Sequence, residues 1–429
     1  MNILYIIPGS GNSFYCGNCL RDSKYVGAVR DLGHRVVKIP MYLPLFSDGN
    51  DPEDVPLFYG AISIYLKQLY PLLRKAPAWF DRLMNARPML KLAARMSGST
   101  RARGLGELTV SMLMGEHGEQ KDELDRLVTW IAEHCQPDLI HLSNALLLGL
   151  SGRIKEKLDV PVVCSLQDED VWVDVMKPAF RDRAWELMRE DAAHVDLFMA
   201  VSDYYGAIMT ERMNLPADKV QCLHLGVFPE DYPAVPLESK GRNIGFISRM
   251  NHENGLDILV DAFIQLKRRS GFEDVKLVLT GGSTGDDVKY IRSNRRKLAR
   301  AGLLGHVDFH DDFIDGGRME FFRKVSVVSV PVRMGEAFGL YLVEAMVSGV
   351  PVVQPALGAF PEIVGATGGG LIYQGNTPEN LAGSLEEILR DGDLLRQKSL
   401  DARSGALVHF DITRQSRKMI DAYKTIIKS

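Results

Sequence analysis

The feature that most constrains the fold of this chain is an alternation between short apolar runs and longer helical patterns. The short runs are rich in β-branched residues, and the stretches between them are long enough to form helices. This alternation predicts parallel sheets covered by helices, because neighbouring parallel strands need a crossover helix between them. We therefore predict an α/β protein with two series of strands, at 2–7, 35–39, 139–141, 161–164 and 197–201, and at 244–247, 275–279, 307–309, 325–330 and 350–353.

Two series of strands predict two domains, and a proline-rich stretch marks the boundary between them. Residues 229–241 carry three prolines and little periodicity, which is typical of a linker. We predict an N-terminal Rossmann-like domain at 1–228 and a C-terminal Rossmann-like domain at 242–410. The final segment, 411–429, places its apolar residues on one helical face, so it needs a surface that covers this face.

Composition excludes several classes of protein. The 429 residues include 51 Lys and Arg against 55 Asp and Glu, and a net charge of −4 provides no positive field for nucleic acid. Five scattered Cys fit a reducing compartment better than a disulfide framework. No apolar run reaches the ~18 residues of a membrane span, and the first residues are typical of a strand rather than a signal peptide. We predict a cytoplasmic protein.

The region 42–115 does not follow the alternation, and we predict that it is a helical insertion in the first domain. Between 67 and 103 it carries nine basic residues and one acidic residue, mixed with aromatic and aliphatic side chains. This mixture suits peripheral contact with anionic lipid at the inner face of a membrane, or with a lipid-linked acceptor. A solvated helical cap on the core explains the same composition, and both interpretations stay open.

The most specific chemical signal lies at 335–353, where a predicted strand leads into a loop and a helix. The carboxyl end of a parallel strand faces the ligand crevice, and the amides that open a helix favour phosphate. Glu336 lies in the loop and Glu344 lies inside the helix. Two carboxylates at this spacing can accept hydrogen bonds from the hydroxyls of a sugar and a ribose. Two solvated glutamates at a helix end explain the spacing equally well.

This motif resembles the signature of glycosyltransferase family 4, in which seven residues separate two Glu within E-G-F-G-L-P-x-x-E-A-M-A-x-G-x-P-V-V. The resemblance extends to 244–249, 255–259, 279–282 and 358–364, and more loosely to the first half of the chain. It implies the GT-B architecture, with two facing Rossmann-like domains and a C-terminal helix that crosses back to the first. It also implies a retaining, hexosyltransferase-like enzyme that uses a nucleotide diphosphate sugar as co-substrate, an unknown acceptor, and no metal or other cofactor.

The resemblance assigns roles to residues of the second half. It implies that the leaving diphosphate helps to deprotonate the acceptor, so that catalysis is mostly positioning and charge stabilisation. The implied donor contacts are Glu336 to the sugar hydroxyls, Glu344 to the ribose, Arg249 to the diphosphate, the backbone amides of Phe338, Gly339 and Leu340, and the turn at Gly281.

One departure from the family concerns position 254, where the family usually has Lys and this chain has Asn254. A unit charge ~4 Å from a phosphate is worth ~4 kcal/mol at an effective dielectric of ~20, so the missing cation matters for turnover. Arg333 is our first candidate for a substitute cation and His252 the second. The alternative is a glycosyltransferase-like protein that binds nucleotide sugar with weak or no turnover. Epimerisation or phosphorolysis on the same fold would need dedicated residues that we do not identify.

The first half of the chain predicts the acceptor side or phosphate loop only in outline. The glycine-rich loop after the first strand contributes Gly11, and Gly17 resembles the second Gly of a family pair. His141 lies in a predicted strand that resembles a family landmark, and the His-Asp pair that often follows the next strand reads Gln167-Asp168 here. Gly11, Gly17, His141 and Asp168 are therefore our candidates on this side.

Two other patterns suggest alternative chemistry. Cys16 and Cys19 are spaced like a thioredoxin-type thiol pair, or like half of a zinc site that would need two further ligands. Asp168 and Asp170 imitate the metal-binding Asp-x-Asp of the other major glycosyltransferase fold, which has no motif like that around Glu336. We predict packing thiols and no bound metal.

Overall fold

The computed structural model describes residues 1–8, 17–41, 105–310 and 316–428, and it contains two parallel six-stranded sheets covered by helices. The strands of the first sheet are β1 (Asn2–Ile7), β2 (Arg35–Pro40), β3 (Leu139–Leu142), β4 (Val162–Leu166), β5 (Leu197–Ala200) and β6 (Val220–Cys222). Those of the second are β7 (Asn243–Ile247), β8 (Lys276–Thr280), β9 (Val307–Phe309), β10 (Val327–Val328), β11 (Val352–Pro355) and β12 (Gly370–Tyr373). The strand orders are β2-β1-β3-β4-β5-β6 and β12-β11-β10-β7-β8-β9.

Helices follow most of the strands, as parallel pairing requires. In the part of the chain before β7 they are α1 (Gly17–Asp31), α2 (Gly106–Leu113), α3 (Lys121–His134), α4 (Ser151–Leu158), α5 (Glu169–Val173), α6 (Pro178–Asp191) and α7 (Asp203–Met213). After β7 they are α8 (Leu256–Lys267), α9 (Val288–Arg300), α10 (Gly316–Lys324), α11 (Leu340–Val347), α12 (Phe360–Thr367), α13 (Pro378–Arg390), α14 (Gly392–His409) and α15 (Ile412–Lys428).

The chain divides into two compact units, each built around one sheet. The first unit comprises Met1–Val201, Tyr205–Leu223 and Ser416–Ser429, and the second comprises Ser202–Tyr204 and His224–Gln415. Interior strands of both sheets are buried on both faces, as in β4 and β11, where every residue is buried. This is the pattern expected when helices cover both sides of a parallel sheet.

The α/β architecture with two parallel sheets is confirmed. Sequence analysis missed β6 and β12, because these short edge strands carry too little periodicity to stand out. The strand predicted at 325–330 is shorter than expected, since only Val327–Val328 forms regular pairs. Its flanks still hydrogen-bond to β7, with the amide of Ser329 donating to the carbonyl of Gly245 at 2.9 Å.

The predicted final helix is present as α15 and belongs to the first unit from Ser416 onward. Met419, Ile420 and Tyr423 are buried at 3, 4 and 1% exposure, so the apolar face that the sequence predicts is covered. Together with the two sheets, this confirms the predicted fold class.

Most of the predicted insertion, including the basic region 67–103, lies outside the described residues. Its last part forms α2, which packs against α6 of the first unit: a Cβ built on Gly106 would lie 2.8 Å from the Phe180 ring. Among the helices within 1–8, 17–41, 105–310 and 316–428, none combines the length and apolar character needed to cross a membrane. The cytoplasmic location and the lipid contact stay predictions.

Candidate functional site

The predicted donor residues of the second unit lie in three loops at the carboxyl edge of its sheet and in α11, the helix that follows the third loop. These loops follow β7, β8 and β10, which are neighbours in the sheet. The amide of Met250 donates to the carbonyl of Gly282 at 3.1 Å, and the amide of Arg333 donates to the carbonyl of Glu253 at 2.9 Å. Backbone hydrogen bonds therefore join the β7 loop to the β8 loop and to the β10 loop.

Gly281 allows the β8 loop to approach the β7 loop. Its φ is +120°, and a Cβ at this position would lie 2.1 Å from the carbonyl oxygen of Ser248. Both the conformation and the contact require a residue without a side chain. The predicted turn at Gly281 is therefore a close backbone approach beside the candidate site.

Arg249 forms a bidentate ion pair with the buried carboxylate of Asp287. Its Nε donates to Asp287 Oδ2 at 2.8 Å, one Nη donates to Oδ1 at 3.2 Å, and the same Nη donates to the hydroxyl of Thr284 at 2.7 Å. Burial raises the pKa of Asp287, but the hydrogen bonds from Arg249 and Thr284 hold this pKa below its ordinary value. Arg249 remains 42% exposed, so part of the guanidinium faces solvent. Its role at the diphosphate stays a prediction.

Asn254 bonds to its own loop. Its side-chain amide donates to the hydroxyl of Ser248 at 2.8 Å and to the carbonyl of Arg249 at 3.0 Å. Its backbone amide donates to the side chain of Asn251 at 2.9 Å. The residue that replaces the usual Lys therefore fixes the shape of the β7 loop and supplies no charge.

Arg333, the predicted substitute cation, ties the β10 loop to the start of α8. Its Nη donates to both carboxylate oxygens of Asp257 at 2.8 and 2.7 Å, and its Nε donates to the carbonyl of His252 at 3.0 Å. The hydroxyl of Tyr290 also donates to Asp257. Burial raises the pKa of Asp257, but Tyr290 and Arg333 together hold it below its ordinary value. Arg333 is 32% exposed, and the ring of His252 packs edge-on to Tyr290.

Glu336 lies in the β10 loop beside the start of α11. Its carbonyl accepts a hydrogen bond from the amide of Ala359 at 3.1 Å, which fixes the loop against α12. Burial raises the pKa of the Tyr341 phenol well above its ordinary value, and the charge of Glu336 raises it further. Glu336 is half-buried, and its backbone is fixed in the loop.

The segment from Phe338 to Leu340 opens α11, as predicted. Gly339 is the N-cap with φ +90°, a conformation that favours glycine, and Leu340 is the first helical residue. Amides at this position carry partial positive charge that suits an anion. The Phe338 side chain is buried against the rings of His224 and Phe410, so it contributes packing, and only its backbone belongs to the helix opening.

Glu344 is the single charged residue of α11 and is 4% exposed. The hydroxyl of Tyr232 donates to its Oε1 at 2.8 Å, and Arg318 of α10 forms an ion pair with its Oε2. Burial raises the pKa of Tyr232 above its ordinary value, and the charge of Glu344 raises this pKa further. A ribose contact at Glu344 stays a prediction, and any such contact would share the carboxylate with two protein groups.

Sequence analysis did not identify the partners of these charged residues. Asp257 lies in a segment that resembles the family, yet nothing in the pattern connects it to Arg333. Arg318 and Tyr232 carry no motif at all. The partners missed were Asp257, Asp287, Arg318 and Tyr232.

In the first unit, His141 lies inside the core. It is 0% exposed and stacks on the ring of Tyr5, with ring centroids 4.4 Å apart. Its Nε2 hydrogen-bonds to the hydroxyl of Ser165 at 2.8 Å, and its Nδ1 hydrogen-bonds to the hydroxyl of Tyr423 in α15. Burial and the nearby charge of Arg21 lower the pKa of His141 to about 3. This burial argues against the predicted contact with an acceptor and gives His141 a packing role.

Asp168 lies at the carboxyl edge of the first sheet, in the turn between β4 and α5. It is exposed and has a φ of +56°, whereas the next residue, Glu169, is 1% exposed. The carboxylate of Glu169 accepts hydrogen bonds from the amides of Ala145 and Gln167 and from the hydroxyl of Tyr205, at 2.9, 2.7 and 2.8 Å. Burial raises the pKa of Glu169 to about 7, although these hydrogen bonds oppose the change. Glu169 therefore fixes the turn that presents Asp168.

The remaining candidates of the first half lie at or beyond the limit of the described residues. Gly11 and Cys16 are outside them, and Gly17 is the first residue of α1. Roles in phosphate or acceptor binding stay predictions for Gly11 and Gly17, as does the packing role for Cys16 and Cys19.

Two family models match this chain, one in each half. The model described as Glycosyltransferase Family 4 matches residues 116–231, and the model described as Glycosyl transferases group 1 matches residues 241–391. The second match contains the loops after β7, β8 and β10. The residues of these three loops therefore lie within a glycosyltransferase domain.

Curated relatives carry names of the same kind. The chain is 30% identical over 190 residues to the phosphatidyl-myo-inositol mannosyltransferase of Mycobacterium leprae, covering 44% of this chain and 48% of that protein. It is 27% identical over 228 residues to the lipopolysaccharide core biosynthesis mannosyltransferase LpsB of Rhizobium meliloti, covering 52% and 60%. The chain thus matches about half of the length of these relatives.

Solved structures with the same fold extend over the whole chain. Sucrose-phosphate synthase of Thermosynechococcus elongatus has a TM-score of 0.71 at 16% identity and covers 99% of each chain. HepE of Anabaena, solved in complex with UDP, has a TM-score of 0.67 at 18% identity and covers 99% of this chain and 100% of that one. These likenesses show the GT-B fold. The two family models show that residues 116–231 and 241–391 form domains of the glycosyltransferase family 4 type.

Proposed function

We propose that this protein transfers a sugar from a nucleotide diphosphate sugar to a saccharide or lipid-linked acceptor, with retention of anomeric configuration. The observation that carries the proposal is the grouping at the edge of the second sheet. Glu336, Glu344 and the amides that open α11 lie in one loop–helix unit, and Arg249 and Arg333 lie in loops fastened to the same edge. Carboxylates for hydroxyls and positive groups for phosphate are the two needs of a nucleotide-sugar site.

In this proposal the positive groups meet the charge that develops on the leaving diphosphate. Arg249 and Arg333 are each held by a carboxylate, which fixes their direction, and each stays partly exposed. A guanidinium has five donors, and those that do not bond to Asp287 and Thr284, or to Asp257 and His252, remain for phosphate oxygens. Such preorganised groups stabilise a transition state at little reorganisation cost. The same groups would allow the reaction to proceed without a metal ion.

The proposed reaction exchanges one bond to the anomeric carbon for another on the same face of the sugar. The bond from the anomeric carbon to the diphosphate oxygen breaks as the bond to the acceptor oxygen forms. The proton of the acceptor hydroxyl passes to the leaving diphosphate. Glu336 would hold sugar hydroxyls during this step, and Glu344 would hold the ribose.

The relatives guide the choice of substrates for a test. Two of them are named mannosyltransferases, one acting on phosphatidyl-myo-inositol and the other in lipopolysaccharide core biosynthesis. Mannose-bearing nucleotides and acceptors with a polyol or saccharide headgroup are therefore the first to try, followed by UDP- and GDP-linked glucose and galactose.

The experiment measures transfer and hydrolysis by the wild type with each nucleotide sugar, in buffer with EDTA and in buffer with magnesium or manganese. We expect turnover with at least one donor, equal rates with and without chelator, and a product with the donor's anomeric configuration by NMR. An inverted product or a metal requirement would refute those parts of the proposal.

One observation favours the second function that the sequence suggests, a nucleotide-sugar-binding protein with weak turnover. Asn254 uses its side chain inside the β7 loop, so the usual cation is absent at that point. Donor binding in calorimetry without transfer or hydrolysis would support this second function. An Asn254→Lys variant that then gains activity would locate the cause at position 254.

A further inference from the structure

The carboxylate of Glu344 is held from two sides by residues of distant segments. Tyr232 precedes it by 112 residues and donates to Oε1 at 2.8 Å, while Arg318 of α10 pairs with Oε2. Tyr232 is 5% exposed, and its ring packs against Phe322 of the same helix, with centroids 6.2 Å apart. Helix α10 therefore supplies both the cation for Glu344 and a support for Tyr232.

A further contact fixes Tyr232 to the end of α11. The guanidinium of Arg403 in α14 donates to the carbonyl of Tyr232 at 3.2 Å and to the carbonyl of Val347. Tyr232 is thus joined to α11 at Glu344 through its side chain and at Val347 through its backbone. This arrangement leaves the Glu344 carboxylate little freedom to rotate.

A carboxylate held in one orientation can bind only certain ligands, and its hydrogen-bonding capacity determines which. Each oxygen of an ionised carboxylate has two acceptor positions, and Tyr232 and Arg318 occupy one on each oxygen. Arg318 places a positive charge beside this carboxylate, and an ionised carboxylate only accepts hydrogen bonds. An acceptor-only group with fixed orientation favours a ligand with hydroxyl donors over one that lacks them.

We propose that Arg318 and Tyr232 are positioning residues that hold Glu344 for the ribose hydroxyls of the donor, so that this site selects ribonucleotides over deoxyribonucleotides. The inference rests on the proposed function, since it assumes a nucleotide at the second unit. It adds two residues and a selectivity that the Glu336–Glu344 motif does not contain.

The test measures dissociation constants of UDP and GDP beside their 2′-deoxy and 3′-deoxy forms by titration calorimetry. For the wild type we expect at least one ribonucleotide to bind about tenfold more tightly than a deoxy form, the effect of one hydrogen bond of ~1.4 kcal/mol. Tyr232→Phe keeps the ring and removes the hydroxyl, and we expect it to reduce this ratio about threefold or more. The matched control is Arg323→Gln, an exposed residue of the same helix, which should leave the ratio unchanged.

A second variant separates positioning from stability. Arg318→Lys keeps the charge but loses the planar group of donors, so it should also reduce the ratio while keeping part of the affinity. If both variants lower the melting temperature and leave the ratio unchanged, the contacts are structural and the inference is wrong. A wild type that binds ribo- and deoxyribonucleotides equally would overturn the inference alone. A wild type that binds no nucleotide or nucleotide sugar would overturn the proposed function, and the inference with it.

Discussion

The two sheets differ in the groups that they place near their carboxyl edges. Around the candidate site of the second unit, three arginines are each paired with a carboxylate. These pairs are Arg249–Asp287, Arg333–Asp257 and Arg318–Glu344. In the first unit, His141 and Glu169 are buried titratable groups that hydrogen-bond to hydroxyls and backbone amides.

The two units therefore stabilise their charged and titratable groups in different ways while no ligand is bound. A site for a diphosphate needs cations, and pairing them with carboxylates keeps them ordered while no phosphate is present. His141 and Glu169 of the first unit are shielded from water instead, so burial dominates their protonation states. We therefore expect substitutions in the first unit to act through pH-dependent stability and those in the second to act through donor turnover.

The largest effect is expected at His141, whose pKa is lowered to about 3. Its ordinary pKa is ~6.5, so between these values the unfolded chain binds a proton that the folded chain does not, and stability is lost as the pH falls. The whole interval corresponds to about 5 kcal/mol. Relative to His141→Phe, the wild type should lose ~1.4 kcal/mol of unfolding free energy per pH unit below about pH 6, measured by urea denaturation. Parallel pH profiles of the two proteins would contradict this.

A smaller effect of opposite sign is expected at Glu169, whose pKa is raised to about 7. Its ordinary pKa is ~4.3, so the folded chain keeps a proton that the unfolded chain has released, and stability is lost as the pH rises toward 7. Relative to Glu169→Gln, the wild type should lose about 4 kcal/mol across this interval and change little above it. The same urea experiment measures it. A wild type that gains stability over this interval would show that the three hydrogen bonds outweigh burial.

The smallest effect is expected at Arg333, and it tests the paired arginines of the second unit. Arg333→Gln should lower turnover about tenfold, the effect of ~1.4 kcal/mol, because a cation facing the diphosphate is lost. Asp257→Asn is the matched variant, since it breaks the same ion pair and keeps the cation. If Arg333 only ties two loops together, both variants should lower turnover equally. Unequal losses, with Asp257→Asn the more active, would support a role at the diphosphate.

Most of the fold could be predicted from sequence, because its signals are local. The strands predicted at 139–141, 161–164 and 307–309 agree with the observed ones to within a few residues. Apolar runs, and the glycines that end helices, are patterns within a few neighbouring residues, so they can be recognised without knowledge of the fold. The helix that contains Glu344 was predicted in the same way. Strands β6 and β12 were missed because three or four residues at a sheet edge show no clear period.

The partners in the candidate site could not be predicted, because they depend on contacts between distant segments. Arg249 and Asp287 are 38 residues apart, Arg333 and Asp257 are 76 apart, and Tyr232 and Glu344 are 112 apart. No local pattern connects such pairs. The burial of His141 was missed for the same reason, since Tyr423 follows it by 282 residues.

The central claim is that sugar transfer takes place at the edge of the second sheet around Glu336. The most direct test compares turnover and donor affinity of Glu336→Gln with those of the wild type, using the best donor found. Glu387→Gln, an exposed carboxylate of α13, is the matched control. We predict that Glu336→Gln lowers turnover about 100-fold or more, changes the donor dissociation constant by less than about threefold, and that the control changes neither. Turnover by Glu336→Gln equal to that of the wild type would contradict the claim.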